Sequence, residues 1–267
     1  MRKDKKETVS VIINAKNEQD FIGGCLESVG WADEVILLIA PSSTDKTREI
    51  SEGFKVKIVE QEGERMDYAA WHNQGIRVAL GDWLLWIDAD ERVTPLLRNE
   101  IQNTIINTPY AVYAISRRNF LLGKELHWGG WYPDYAKRLF RKQNLEKWVG
   151  ELHEQPVFSG ELGHLKEPMI HLQPEKIEPA LQKSIKWSII EADLLYESGH
   201  PSIVWWRVLR MGVRTLFERL IKKQGFRDGV EGWIESVYQA YHTMIVYLRL
   251  WEMQNDPSTS SGQENEK

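Results

Sequence analysis

The sequence has one cysteine, Cys25, so no internal disulfide can form and nothing requires an oxidising compartment. Cys25 reads as a small buried hydrophobe. Long hydrophobic runs are missing as well. The apolar stretch at residues 8–13 is far too short to span a bilayer, and no later run approaches the roughly 18–20 residues a span needs. Met1–Glu7 is a charged run with no apolar segment behind it long enough for a signal peptide. These absences point to a cytoplasmic protein that touches, at most, the inner face of the cytoplasmic membrane. An excess of positive charge is also lacking. The net charge of -5 speaks against nucleic acid as a partner, since that surface needs a basic footprint. Internal repeats are absent too.

What remains is a globular composition, 42% hydrophobic and 27% charged over 267 residues, enough for one substantial core and an appendage. Twelve tryptophans are present, many of them between Trp128 and Trp251. The first hundred residues alternate strands and helices. Apolar runs at Thr8–Ile13, Glu34–Ile39, Lys55–Val59 and Trp83–Ile87 predict strands. Helices are predicted to about Ser28, from the Pro41–Asp45 stretch with Ser43 or Thr44 as cap, over Tyr68–Leu80, and from Thr94-Pro95. Continuous rather than alternating hydrophobicity fits a doubly wound parallel or mixed sheet between helices, with ligands at the carboxyl ends of its strands. Tyr110–Ser116 predicts a further strand. Residues 117–175, rich in Gly, Trp, His and Pro, read as loops over an active site. The chain is helical by period from Ile177 to Met253, with breaks at residues 198–201 and 223–225. The expected divisions are a flexible N-terminus at 1–7, an α/β domain at 8–175, a helical region at 176–254 and a disordered tail at 255–267.

Trp83–Ile87 runs directly into Asp88-Ala89-Asp90-Glu91. Strand alternation would put Asp88 and Asp90 on one side, with Ala89 turned away. Two like charges at a strand end disfavour each other unless something neutralises them. Mg²⁺ or Mn²⁺ does so, taking one or two carboxylates plus substrate phosphate oxygens. By itself the tripeptide also reads as a solvated acidic turn before the helix at Thr94. Its position after a buried strand is what favours a metal-linked diphosphate site.

Three segments in this order resemble the family 2 glycosyltransferases: Val9–Glu18, Ser43–Thr47, and Gly81-Asp82-Trp83 leading to Asp88-Ala89-Asp90-Glu91-Arg92. Within that family the chain resembles the branch that builds lipopolysaccharide core and capsule. The likeness continues through Gly129-Gly130-Trp131-Tyr132-Pro133-Asp134, Arg138–Arg141 and Glu151-Leu152-His153-Glu154, and into residues 225–229 and 250–252. The resemblance implies a GT-A fold, an α/β nucleotide-diphospho-sugar sandwich, for residues 8–175. It also implies a nucleotide-sugar donor, UDP-linked by default, a divalent metal, and a glycan or lipid-linked acceptor. Donor contacts would come from Ala15, Asn17, Glu18, Asp45, Arg65, Asn73, Asp88, Ala89 and Asp90. Asp90 and Asp88 would serve the metal, with Asp88 alternatively reaching the ribose. One departure stands out. Where the family carries a base-contacting Asp after the second strand, this chain has Ala40.

An inverting transfer needs a carboxylate to take the acceptor proton. Glu154 is favoured and Asp134 is the second candidate, while His153, Trp128, Trp131 and Tyr132 are placed on the acceptor side. Three other readings compete. A glycoside hydrolase also pairs carboxylates but needs no Asp-x-Asp at a strand end. A sugar nucleotidylyltransferase usually shows a Gly-rich basic signature after the first strand, absent here before Gly23. A non-catalytic nucleotide-sugar-binding protein is the third. Winding Trp205–Lys223 on a helical period places Trp206, Leu209, Val213, Leu216, Phe217 and Leu220 on one arc and Arg207, Arg214, Arg219, Lys222 and Lys223 on most of the rest. That pattern predicts peripheral contact with an anionic membrane through residues 205–223, or packing on the rest of the fold.

Overall fold

The computed structural model describes residues 6–63, 67–150, 154–173 and 175–256. The described chain forms two compact units. One takes the residues up to Arg118 together with Pro133–Leu172, and the other takes Asn119–Tyr132 with everything from Gln173 onward. The division toward the C-terminus falls between Leu172 and Gln173, and the Gly- and Trp-rich segment 119–132 belongs with the helices.

The first unit begins with the βα pattern: β1 (Val9–Ala15), α1 (Ile22–Val29), β2 (Glu34–Ile39), α2 (Thr47–Glu52), β3 (Lys57–Glu60), α3 (Tyr68–Val78), β4 (Trp83–Asp88), β5 (Glu91–Arg92) and α4 (Pro95–Thr104). β3, β2, β1 and β4 lie side by side in parallel. Their apolar runs bury both faces. Ile13, Leu37 and Leu85 meet Ile22 and Leu26 of α1 and Leu97 and Ile101 of α4. Ile12, Leu38, Leu84 and Trp86 meet Ala69 of α3 on the other side. Gly75 of α3 is needed for that packing, since a Cβ there would sit 2.9 Å from Ile12. Thr94 caps α4 as expected, accepting from the Leu97 N–H at 3.1 Å, with Pro95 in the first turn. The helix expected from Ser43 or Thr44 starts later, at Thr47, because Asp45 turns its carboxylate onto the Thr47 N–H at 3.0 Å.

The segment expected to be loops is instead mostly strand. β6 (Val112–Leu121), β7 (Lys124–Leu126), β8 (Asp134–Arg141), β9 (Leu145–Val149), β10 (Gln155–Phe158), β11 (Leu162–His164) and β12 (Met169–Leu172) follow. β8 adds antiparallel to β4, and β6 antiparallel to β8. β12 pairs with the short β5, placing His171 opposite Glu91. The sheet is thus mixed, as the fold class allowed, and its parallel half carries the expected strand ends.

In the second unit α5 (Ile177–Glu197), α6 (Trp205–Phe217) and α7 (Val230–Asn255) account for the expected helices and breaks. α6 continues as a wider π turn over Glu218–Lys222, and a 3-10 turn covers Gly225–Asp228. The expected apolar arc is altered by packing. Val208, Gly212 and Leu220 are buried, whereas Leu209, Val213 and Phe217 are exposed. Asp228 is buried and accepts from the backbone N–H of His127 (3.1 Å) and Trp128 (2.7 Å), which ties segment 119–132 to the helices. Among the described residues no helix is long and apolar enough to cross a membrane.

Candidate active site

In the order β3-β2-β1-β4, β1 is flanked on both sides and the winding reverses, which makes the ends of β1 and β4 the place where an open α/β sheet takes a ligand. Asn14 lies opposite Asp88 there. Strand alternation stops at this point. β4 ends at Asp88, the chain turns through Ala89 and Asp90, and β5 starts at Glu91. Arg92 braces the turn, donating to the carbonyls of Ala89 (2.9 Å), Glu91 (2.8 Å) and Phe21 (2.7 Å). The two aspartates do not share a face through alternation. Each has its own partner.

Asp88 pairs with Arg138 of β8. The same guanidinium donates to Glu91 at 2.6 Å, and the other oxygen of Glu91 accepts the backbone N–H of Asp88 at 3.0 Å. Glu91 is fully buried. Arg117 lies 3.5 Å from Glu91 and grips Asp134 directly across the β6–β8 ladder, Nε to Oδ2 at 2.9 Å and Nη2 to Oδ1 at 3.0 Å. Two arginines and three carboxylates thus form one network at the strand ends. Enclosure by protein opposes charge on Asp88, yet the Arg138 guanidinium outweighs it and holds the carboxyl well below the usual range. Glu91 goes the other way, raised by burial and by the neighbouring Asp88. Burial likewise works against Arg138, but Asp88 and Glu91 more than compensate and keep it charged.

Asp90 has a different partner, His171, which lies on β12 opposite Glu91. Its Oδ2 lies 3.5 Å from Nε2 of His171, and its buried Oδ1 has no hydrogen-bond partner. Burial disfavours the charged imidazole, but the bond to Asp90 raises the His171 pKa overall. An unpartnered carboxylate oxygen beside an imidazole suits a divalent cation. Among the described residues no three His, Cys, Asp or Glu side chains converge to hold one alone. The donor set would have to be completed by substrate oxygens or water, as is usual for Mg²⁺ at phosphate sites.

The other expected residues divide by location. Ala15 closes β1, its carbonyl accepting from Ala40 at 3.0 Å. Asn17, at φ +57°, spends its side chain on the neighbouring loop, accepting from the Thr44 N–H at 2.8 Å. Asp45 accepts from Gln19 N–H at 2.9 Å, and the Glu18 N–H donates to Thr47 at 2.8 Å. Asn17 and Asp45 therefore bind the two loops at the ends of β1 and β2 to each other. Asn73 gives both ends of its amide to the backbone of Trp148, at 2.9 and 2.8 Å, and so anchors β9. Arg65 and His153 lie outside the described residues. Glu154 begins the segment leading into β10. Trp128, Trp131 and Tyr132 belong to the second unit, where Trp128 stacks under Arg227 at 3.8 Å and Trp131 under Arg219 at 5.8 Å. Arg138, Arg117, Glu91 and His171 were not singled out as site residues. The one signal for His171 is a lone imidazole in the apolar run Met169–Leu172.

The chain belongs to glycosyl transferase family 2, whose model matches residues 10–160. It is 23% identical over 261 residues to the lipopolysaccharide core biosynthesis glycosyltransferase LpsC of Rhizobium meliloti (strain 1021), covering 92% of this chain and 93% of that one. An uncharacterised glycosyltransferase of Rickettsia bellii (strain RML369-C) is 26% identical over 279 residues, covering 95% and 90%. Mannosyl-3-phosphoglycerate synthase from Rubrobacter xylanophilus overlaps over 42% of this chain and 41% of that chain, at 20% identity and a TM-score of 0.38.

Proposed function

We propose that this glycosyltransferase moves a sugar, with inversion, from a nucleoside-diphosphate donor to a hydroxyl of a glycan or lipid-linked acceptor during assembly of lipopolysaccharide core or a related surface polysaccharide. A UDP-sugar is the default donor. The work would take place at the cytoplasmic face of a membrane, contacted through residues 205–223. The cell-surface assignment is supported by likeness to LpsC over nearly the whole of both chains. The chemistry rests chiefly on one observation: the unpartnered Asp90 oxygen beside His171 at the β1/β4 switch point.

Asp90 and His171 would hold a divalent cation, which when bound neutralises charge on the departing diphosphate. Asp88, kept ionised by Arg138, suits hydroxyls of the donor. Glu91 and Arg138 fix the turn so that its carboxylates stay in place without rearrangement. The acceptor oxygen attacks the anomeric carbon, the bond from that carbon to the diphosphate breaks, and the hydroxyl proton passes to a carboxylate. Glu154 is the proposed base. Asp134 is the weaker choice because both its oxygens already accept from Arg117. Ala40 leaves the place of a base-reading carboxylate empty of acceptors, so the diphosphate and sugar carry more of the recognition than the base.

Calorimetry with UDP-, GDP-, ADP- and dTDP-sugars in Mn²⁺, followed by transfer assays, tests this reading. One intact donor should bind and be consumed, and Glu154→Gln should lose transfer while keeping donor binding. Turnover of nucleoside triphosphates with sugar phosphates would indicate a nucleotidylyltransferase. Binding without turnover on any acceptor would indicate a non-catalytic protein.

A further inference from the structure

The helical unit exposes more apolar surface than one amphipathic helix accounts for. On α6, Trp205 (74% exposed), Leu209 (50%), Val213 (67%) and Phe217 (60%) lie in line. On α7, Trp233, Val237, Tyr241, Leu248 and Trp251 form a second exposed row, roughly 27 Å long at 1.5 Å per residue. Isolated exposed hydrophobes are ordinary, but two continuous rows on adjacent helices are not.

The packing places both rows on one side. α6 and α7 run antiparallel, with Thr215 of α6 at 3.2 Å from Thr243 of α7 and Gly212 against Met244 and Ala240. A Cβ at Gly212 would come within 2.6 Å of Met244, so the helices approach closely. α6 thus meets α7 along Val208, Gly212 and Thr215. At 100° per residue the Leu209–Val213–Phe217 row is centred about 130° from the middle of that contact. On α7 the contact with α6 runs through Ala240, Thr243 and Met244, while Tyr238, His242 and Arg249 turn to α5. The exposed α7 row falls between these two directions, centred about 60° from the α6 contact at 100° per residue. Reversing the helix direction reverses the sense of rotation, so the two rows come out on the same face of the pair.

Along the outer edge of α6 the charge is of one sign. Trp205–Phe217 carries Arg207, Arg210 and Arg214 and no acid. On the wheel these arginines follow the apolar row on the edge of α6 away from α7, and Arg210 also sits over the Trp206 ring at 5.3 Å. Lys222 extends the basic edge, while Lys223 pairs with Glu218 at 3.3 Å. The acids of α7 lie off the face or at its end. Glu231 pairs with Lys124 at 2.9 Å, Glu235 is buried, and Glu252 follows the last tryptophan.

We propose that the shared face of α6 and α7, rather than α6 alone, seats the protein on an anionic bilayer. The tryptophans and aliphatics enter the headgroup–acyl boundary, and the arginine edge meets anionic headgroups. A second copy meeting this same face about a two-fold axis fits it less well, since each Trp205–Phe217 segment would present arginines and no acid to the other. The inference rests on the membrane-facing part of the proposed function but not on the sugar chemistry.

The test is flotation of the full chain with phosphatidylcholine vesicles and with vesicles containing phosphatidylglycerol. Floating with the anionic vesicles alone is the expected result. Arg210→Gln with Arg214→Gln, two exposed changes off the apolar row, should weaken partitioning by roughly 25-fold at about fivefold per charge. Val237→Ser with Trp251→Ser on α7 should weaken it at least as much as Leu209→Ser with Val213→Ser on α6, roughly tenfold or more. Unchanged melting curves would show that the variants fold. If the α7 pair floats like wild type, the two-helix face is wrong. If wild type stays unbound and sediments as a dimer that the same changes dissociate, the face is a self-interface. Donor calorimetry on the same samples reads the transferase assignment separately, since it does not depend on vesicles.

Discussion

A single guanidinium on β8, that of Arg138, donates to both Asp88 and Glu91 and so couples the end of β4 to the start of β5. The Arg138 side chain is 11% exposed and Glu91 is fully buried, while Asp88 is 47% exposed, so it is the Arg138–Glu91 pair that has little water to fall back on. Removing one partner of such a buried network typically costs about 3–5 kcal/mol, because the remaining charges lose their counter-ion. Arg138→Met should destabilise the fold by that order in urea unfolding and abolish donor binding. Arg138→Lys should recover part of the stability but less of the binding, since an ammonium cannot span two carboxylates in the planar geometry of a guanidinium. Equal donor affinity in all three proteins would show that the network serves folding alone.

Asp90 and His171 carry the metal assignment. Manganese binding, followed by the relaxation of water protons, should weaken roughly 10- to 100-fold in His171→Ala and further in Asp90→Asn. Asp134→Asn should leave manganese affinity within about twofold, since its partner is Arg117. A His171→Ala protein with wild-type manganese affinity would remove the histidine from the site.

Segment 119–132 is held through Asp228, whose buried carboxylate accepts two consecutive backbone N–H groups. Hydrogen bonds to a charged group are worth roughly 1.5–3 kcal/mol each, and their loss leaves the donors buried and unmet. Asp228→Ala should lower thermal stability and open cleavage sites between Asn119 and Tyr132 in limited proteolysis. Asp228→Asn, with one acceptor oxygen left, should fall between. An unchanged digestion pattern would mean that the stacking of Arg227 on Trp128 suffices to hold the segment.

How far these features were legible depends on the sequence distance of their causes. The parallel half of the sheet could be read because β1, β2 and β4 are continuous apolar runs, a local signal. Asp88 and Asp90 were legible for the same reason, standing directly after such a run. Arg138 and His171 were not, because antiparallel register with β4 and β5 brings them in, and Arg138 is 50 residues from Asp88. The strands after residue 117 were hidden among residues that read as loops. They are short, and β9 and β10 pair only with each other. Alternation failed at Ala89 because the backbone turns there, which is why each aspartate found a different partner.

His72 of α3 is not among the residues proposed to hold a metal. Its ring is buried between Trp148 (centroids 4.4 Å apart) and Trp86 (5.8 Å), and Nδ1 donates to the Tyr68 carbonyl at 2.7 Å. Burial disfavours the imidazolium and lowers the pKa to about 4, against an ordinary 6.5 in the unfolded chain. Between those values the unfolded state binds more protons than the folded one, so stability rises with pH from about 4 to 6.5 and falls on acidification through the same window. The full shift corresponds to roughly 3 kcal/mol. Urea unfolding measured from pH 7.5 down to 4.5 should show wild type losing most of that amount. His72→Gln cannot acquire the charge, so it should be less stable than wild type at pH 7.5 through lost packing. Its deficit should then shrink as the pH falls. A deficit that stays constant across the range would mean that His72 does not change its protonation on unfolding.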